Sequence, residues 1–443
     1  MIKPAPTPTP LLQSTLRHMV DPDFGLAHRL VELGAFADAP DVFVTCVDGG
    51  AASYMVDHEH PKWANCSNAS GAAYQRDAAC WATLGELAER YCAAIYDRDA
   101  MISCRQSSLP ARAVPVDDMI LFSGPQYDQD GFLFKPYNPS QEYVWKSGID
   151  YLSGAEVFAP AQFLYLSFEW LDQMLMQTVS TGLACHSDME SACLSAMLEL
   201  IERDGFAAAW ALGMALPCLE LSMAERLCLS LDTQRALASD RLKVRLFALP
   251  NEFGVANIVA VVEHVALGYG AFGAAASLSP FKAIDKAVLE AQHTWIGMSQ
   301  MVQPYTDEDA ISAHCPDPQQ IKTPHDHAQY YMHEKTWAEL GWFIADEGSV
   351  TIAQMCPQPA IYTAAELSMR MSENGYECFM FDLTTEDIDA LGLRVVRALV
   401  PGMQPLCFGV GLISEDRRRL RSLANFWKHA IPKCLNQQPH PFP

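Results

Sequence analysis

A chain of 443 residues, half of them apolar and only 19% charged, has ample material for a large hydrophobic core and lacks the composition of a disordered protein. Its 53 acidic against 30 basic side chains leave a net charge of −23, which repels a nucleic-acid backbone and argues against DNA or RNA as a partner. A polyphosphate ligand in so acidic a protein needs a cation to screen it, which points to magnesium if ATP is bound.

In chain order, the start MIKPAPTPTP is proline-rich and expected to be extended, because proline fixes the backbone and cannot donate to a ladder. It lacks the basic-then-apolar pattern of a signal peptide. The 14 cysteines include no CxxC pair, so a reducing cytoplasm is expected, with the cysteines acting mostly as small buried apolar residues. A short strand is expected at VFVTC, Val42 to Cys46, then a polar turn at Asp48 and Gly49 and a second extended segment near Tyr54 to Val56. From about Arg98 to Gln173, runs such as ILF, FLF and EVFA between turn signals predict strands and loops. The apolar run GVANIVAVVEHVALGYGAFGAAA is broken by Glu263 and His264, so no membrane span is expected. After about Ser414, DRRRLRSLANFWKHA predicts one amphipathic helix, followed by a proline-studded end. Strand-rich pieces alternating with long helices predict a mixed α/β fold.

One pattern occurs three times: a small-residue turn, then an apolar-periodic helix with a carboxylate seven residues after an alanine. In SGAAYQRDAACWATLGELAERY the turn holds Gly71 and the helix Ala79, Glu86 and Glu89. In STGLACHSDMESACLSAMLELIERD the corresponding residues are Gly182, Ala192, Glu199 and Glu202. In FGAAASLSPFKAIDKAVLEAQH they are Gly273, Ala283 and Glu290, followed by Gln292 and His293. Residues three apart share a helix face, so Glu86 with Glu89, and Glu199 with Glu202, each present two carboxylates side by side. Leu84, Leu87 and Ala88, and Leu198, Leu200 and Ile201, would set these helices against a core. The acids would then be partly buried and would need compensation, which Mg²⁺ bridging ATP phosphates supplies through hard oxygen ligands. The plainer alternative is an exposed ExxER face with local ion pairs. No GxxxxGK[ST] or GxGxxG is present, so neither a P-loop nor a dinucleotide fold is indicated.

These three helices, with WKSGIDYLSGAEVFAPAQFLYL and LGLRVVRALVPGMQP, resemble the YcaO family from about Asn65 to the last residue. The resemblance implies a YcaO-type ATP-binding fold, long helices packed on mixed sheets. Residues 1–62 would form a lead-in with the first strands, 63–425 the catalytic domain, and 426–443 a proline-rich tail reaching the active site. It implies Glu86, Glu89, Glu199 and Glu202 as magnesium ligands, and these with Arg203, Glu290, Gln292, Ser70, Gly71 and Gly182 as the ATP site. The chain departs from the family pattern in SGAA, where a lysine is common, and at Thr181, where an asparagine precedes the second glycine.

The ending QQPHPFP resembles the PxPxP terminus of azoline-forming members, the D proteins of thiazole/oxazole-modified microcin and bacteriocin biosynthesis. Alternate prolines pre-set an extended strand at low ordering cost. The implied reaction is ATP-dependent conversion of Cys, Ser or Thr in a ribosomal precursor peptide to thiazoline or oxazoline, by phosphorylation of the backbone amide oxygen. Pro443, through its carboxylate, and His293 are the implied catalytic groups, with His186 another candidate base. The stretch before the motifs is too short for an E1-like domain, so a separate E1-like leader-peptide-binding protein is expected. An FMN-dependent azoline dehydrogenase and an oligomeric, multi-subunit complex are expected with it. Two alternatives are a YcaO enzyme forming thioamides or amidines, and a non-catalytic scaffold that binds peptide.

Overall fold

The computed structural model describes residues 9–34, 41–49, 68–168, 173–302, 318–345, 348–357 and 360–442. The expected segment near Tyr54 to Val56 lies outside them. The architecture is mixed α/β, as the sequence predicts. Helix α1 (Pro10–Met19) precedes a three-stranded antiparallel sheet of β1 (Ala27–Glu32), β2 (Phe43–Gly49) and β3 (Asn68–Ala73). A seven-stranded sheet joins β4 (Ile102–Arg105), β5 (Arg112–Ala113), β6 (Glu142–Asp150), β7 (Glu156–Pro160), β8 (Leu183–His186), β14 (Phe379–Asp382) and β15 (Arg394–Leu399). A five-stranded sheet runs β12 (Tyr269–Ser277), β11 (Ala256–His264), β10 (Leu242–Ala248), β9 (Cys218–Glu220) and β13 (Ser349–Thr351).

Three strands, one per sheet, each lead into a long helix. Strand β3 precedes α2 (Arg76–Cys92), β8 precedes α3 (Met189–Leu212), and β12 precedes α4 (Pro280–Val302). In α2 the buried residues Ala79, Cys80, Thr83, Leu84, Leu87, Ala88 and Tyr91 recur every three to four positions, the stripe expected of a helix laid on a sheet. Helix α3 begins at Asp188, whose side chain accepts the Ser191 amide hydrogen at 2.8 Å. It ends at Gly213 with φ of 64°, a left-handed stop that glycine adopts without strain.

Two of the three glycine turns are not turns. Gly71 lies within β3 and Gly273 within β12. A Cβ on Gly71 would sit 2.4 Å from the Thr83 nitrogen, and one on Gly273 2.1 Å from the Ala291 nitrogen. Glycine is needed there because strand backbone runs directly against the backbone of the following helix. Gly182 does lie in a turn, with φ of 86°, and a Cβ there would meet the Ala398 carbonyl at 2.8 Å.

Other local expectations also change. Asp48 and Gly49 continue strand β2, paired with Arg29 and Ala27, instead of forming a turn. ILF and FLF are not strands: Phe122, Phe132 and Phe134 pack edge-on and stacked with Tyr127 in a satellite aromatic cluster. Aromatic burial, with no neighbouring strand to pair with, decides that segment. EVFA is strand β7. The long apolar run forms the β11–β12 hairpin, and no helix among the described residues is long and apolar enough to cross a membrane. Helix α5 (Pro324–Tyr330) starts with a Thr323–Asp326 capping box, and α6 (Arg418–Trp427) is the predicted basic amphipathic helix.

Candidate nucleotide and metal site

A cleft of about 660 Å³ opens where α2, α3 and α4 meet, lined by Glu86, Glu89, Glu199, Glu202 and Glu290 together with Ser70, Gly71, Arg203 and His293. The acids of the three sequence copies therefore come together. Each ExxE pair is held the same way. Glu86 accepts the Ser70 amide hydrogen at 3.0 Å, and Glu199 that of Gly182 at 3.2 Å, so the first acid binds the strand or turn before its own helix. The second acid reaches the next unit: Glu89 accepts from Cys185 of β8 at 2.7 Å, and Glu202 from Ala276 of β12 at 3.2 Å.

Cations offset part of the charge. Arg90 pairs with Glu86 one turn away, and Arg203 lies 3.7 Å from Glu199 and 3.0 Å from Glu202. His293 is 3.6 Å from Glu290. Burial, then the charges of Glu199 and Glu86, push Glu89 up to about 8. Burial likewise raises Glu202 to about 7 and Glu199 above its ordinary value, against the pull of Arg203 and Lys286. Burial would disfavour charged His293, but its bond to Glu290 outweighs this and raises its affinity for a proton. Burial would likewise favour neutral Glu290, but His293 and Lys286 hold it ionised.

These residues fit a magnesium-bound polyphosphate. The donors are carboxylate oxygens, the type Mg²⁺ selects, and two of them resist ionisation until more positive charge arrives. The Arg203 Nε is buried and, despite the 3.0 Å approach of Glu202, makes no hydrogen bond. Among the described residues no three His, Cys, Asp or Glu side chains converge closely enough to hold a metal by themselves. Phosphate oxygens and water would complete the octahedron, as is common for Mg²⁺.

Not every expected residue reaches the cleft. Gln292 is buried elsewhere, its Oε1 accepting the Tyr74 hydroxyl hydrogen at 2.9 Å. Gly182 acts through its amide on Glu199. His186 is about half exposed and faces Asp188 at 3.3 Å, away from the cleft lining. Pro443 lies outside the described residues, but the tail before it is well anchored. Trp210 Nε1 donates to the Gln438 carbonyl at 2.9 Å, Tyr331 to that of Pro439 at 2.6 Å, and His440 Nε2 to that of Cys407 at 3.0 Å. Phe442 lines the cleft with its ring 4.2 Å from the Arg203 guanidinium carbon.

Sequence reasoning missed Lys286, His325 and Phe442, all in the lining. Lys286 stays protonated although buried, because Glu202, Glu290 and Glu199 surround it. Its position four residues before Glu290 on one helix face was the available signal. Phe442 and His325 carry no such local signal. Arg397, in the LGLRVVRALVPGMQP segment, is buried behind the cleft and donates to the Val179 carbonyl at 2.7 Å.

The family model described as YcaO cyclodehydratase, ATP- and Mg²⁺-binding, matches residues 70–404. The chain belongs to the YcaO family. ATP and Mg²⁺ are accordingly its cofactors, in agreement with the donors in the cleft. Among solved structures, this YcaO chain is similar to a heterocyclase in complex with substrate and cofactor, at TM-score 0.73 and 18% identity over 97% of the chain. It is also similar to the YcaO protein of Methanopyrus kandleri bound with AMPPCP and Mg²⁺, at TM-score 0.58 and 18% identity, covering 85% of this chain and 86% of that one. The E. coli microcin synthetase McbBCD complex gives TM-score 0.60 and 12% identity, covering 94% and 96%. At these identities the likeness is one of fold. The YcaO chain spans 57% of the first heterocyclase chain and 50% of the heterocyclase TruD. No curated protein matches it.

Proposed function

We propose that this protein is an ATP-dependent peptide cyclodehydratase that converts Cys, Ser or Thr of a ribosomal precursor peptide to thiazoline or oxazoline. The supporting observation is the cleft in which carboxylates from three separate helices meet and which Phe442 of the proline-spaced tail also lines. On this reading residues 63–425 are the catalytic domain and 426–443 the tail that completes the site. Glu86, Glu89, Glu199 and Glu202 would hold Mg²⁺ together with phosphate oxygens and water, and the metal would screen the ATP phosphates, whose charge Arg203 and Lys286 would also face.

The chemistry asked of the protein is mainly positioning. A thiol or hydroxyl adds to the preceding backbone carbonyl, the carbonyl oxygen takes the γ-phosphoryl group of ATP, and loss of phosphate with the amide proton leaves the five-membered ring. His293, whose affinity for a proton Glu290 raises, faces the same cleft as the carboxylates. Neighbours solved with a substrate and as a microcin synthetase complex support a peptide substrate and a multi-subunit assembly. On this proposal the assembly works in the cytoplasm with a separate E1-like leader-binding protein and an FMN-dependent dehydrogenase.

The test is to combine the chain with ATP, Mg²⁺, a leader-binding partner and the precursor peptide encoded beside it, and to weigh the product. Loss of one water per modified residue supports the proposal. A gain in mass, as when sulfur replaces oxygen, or ATP-independent binding without mass change, refutes it.

A further inference from the structure

The reaction needs a group to take the proton of the attacking thiol or hydroxyl, and the histidines can be sorted by geometry. Among the described residues only His293 and His325 line the cleft. His293 sits 3.6 Å from Glu290 and is engaged by that carboxylate. His325 has no such partner carboxylate at ion-pair distance among the described residues. It lines the same cleft as the carboxylates, and the lining also includes Pro324, Phe408 and Phe442.

The segment that carries His325 is firmly held. His325 is the second residue of α5, whose capping box is closed by Thr323 and Asp326. Two residues on, buried His327 joins α5 to two other segments, its Nδ1 bonding the His440 carbonyl at 2.9 Å and its Nε2 accepting the Gly409 amide hydrogen at 2.9 Å. Phe408 lies edge-on to His327 at 5.2 Å. The helix that carries His325 is thus clamped to the tail segment carrying Phe442, and His325 and Phe442 both line the cleft that holds the carboxylates.

We propose that His325 is the proton acceptor for the peptide nucleophile, an inference that rests on the cyclodehydratase reading above. The S–H or O–H bond breaks, the proton passes to the unprotonated ring nitrogen of His325, and the freed electron pair forms the bond to the carbonyl carbon. The carbonyl π pair moves onto oxygen, which takes the γ-phosphoryl group of ATP and releases ADP. Burial lowers the affinity of His325 for a proton, only partly offset by Asp326, so the ring enters the step neutral.

A base matters more to an alcohol than to a thiol, because a thiol ionises near neutral pH and a serine hydroxyl does not. The experiment uses the full chain with its leader-binding partner, ATP and Mg²⁺, and the neighbouring precursor peptide in two forms whose single reacting residue is Cys or Ser. His325→Ala is expected to slow ring formation at Ser by about 100-fold. Ring formation at Cys should fall much less, and added imidazole should restore part of the Ser reaction. His325→Gln, closer in shape, should behave as the alanine variant does if the proton matters, and melting temperatures report whether either variant is misfolded. Equal losses for Cys and Ser without imidazole rescue, or no loss in either, overturn the proposal. If the wild-type chain forms a ring at neither residue, the cyclodehydratase reading fails, and this inference with it.

Discussion

The Glu89 carboxylate accepts the amide hydrogen of Cys185 at 2.7 Å, so an acid on the first strand–helix unit is fastened to the strand of the second. Glu202 makes the equivalent reach from the second unit to Ala276 of the third. Glu290, on the third, closes on His293, which also feels the charge of Glu86 on the first. The carboxylates that line the cleft are therefore also the joints between the units that build it.

Removing charge at one of these joints separates the two roles. Glu89→Gln keeps an oxygen that can accept from Cys185 but gives up a negative ligand. ATP turnover is expected to fall by about 100-fold or more, while the folded chain still assembles with its partners. Turnover within a factor of two of wild type would instead point to a scaffold role.

The same acids set a pH dependence in metal-free protein. Glu89 and Glu202 are raised to about 8 and about 7 by burial, from an ordinary 4.5, so the folded chain holds more protons than the unfolded chain between those limits. The stability these two acids contribute is therefore lost as pH rises from about 4.5 to 8, with raised His293 acting in the same sense. His327 and His440, which burial keeps neutral, act in the opposite sense below about 6.5 and leave the decline clearest from there to pH 8. Melting temperatures in chelator should decline over that window, Glu89→Gln should flatten the decline, and Mg²⁺ should restore most at the alkaline end. A Glu89→Gln profile parallel to that of wild type between about pH 6.5 and 8 would contradict the assignment.

Phe442 meets Arg203 at 4.2 Å and Phe206 at 4.9 Å. Phe442→Leu keeps apolar volume but removes the π face, an interaction worth about 1–2 kcal/mol when desolvated. ATP turnover with peptide should drop by roughly tenfold, with Phe442→Trp close to wild type. Equal activity of the leucine and tryptophan variants would remove the ring from the argument.

Arg419 of α6 is fully buried, with Nε 2.9 Å from Asp204, and also contacts Glu252 and Tyr376. Asp204 follows Arg203 and also accepts the Gln404 amide hydrogen at 2.7 Å. Arg419→Ala leaves two acids without their partner and should cost about 3–5 kcal/mol in denaturant unfolding. A cost below about 1 kcal/mol would mean that the site tolerates the unpaired charge.

Glycine spacing gives a test of the strand–helix packing. Gly273→Ala forces a Cβ against helix backbone and should destabilise by about 3 kcal/mol. Gly85→Ala, in the α2 interior with open space around the added carbon, should stabilise by about 1 kcal/mol. Equal melting shifts for the two variants would refute the packing account.

The sequence by itself determined the three helices, the ExxE faces of two of them and the alanine-led register of all three, because side chains three and four apart share a face through covalent geometry alone. It also marked Gly71 and Gly273 as special, but only the packed structure revealed that they sit in strands, pressed against helix backbone. Which amide each glutamate accepts, the burial of Lys286 among three acids, and the presence of His325 and Phe442 in one cleft lining were decided by tertiary structure. These contacts join residues tens to hundreds of positions apart, and no local periodicity records them. They depend on how three sheets stack their helices around one cleft, which is set by burial and hydrogen-bond satisfaction across the whole molecule.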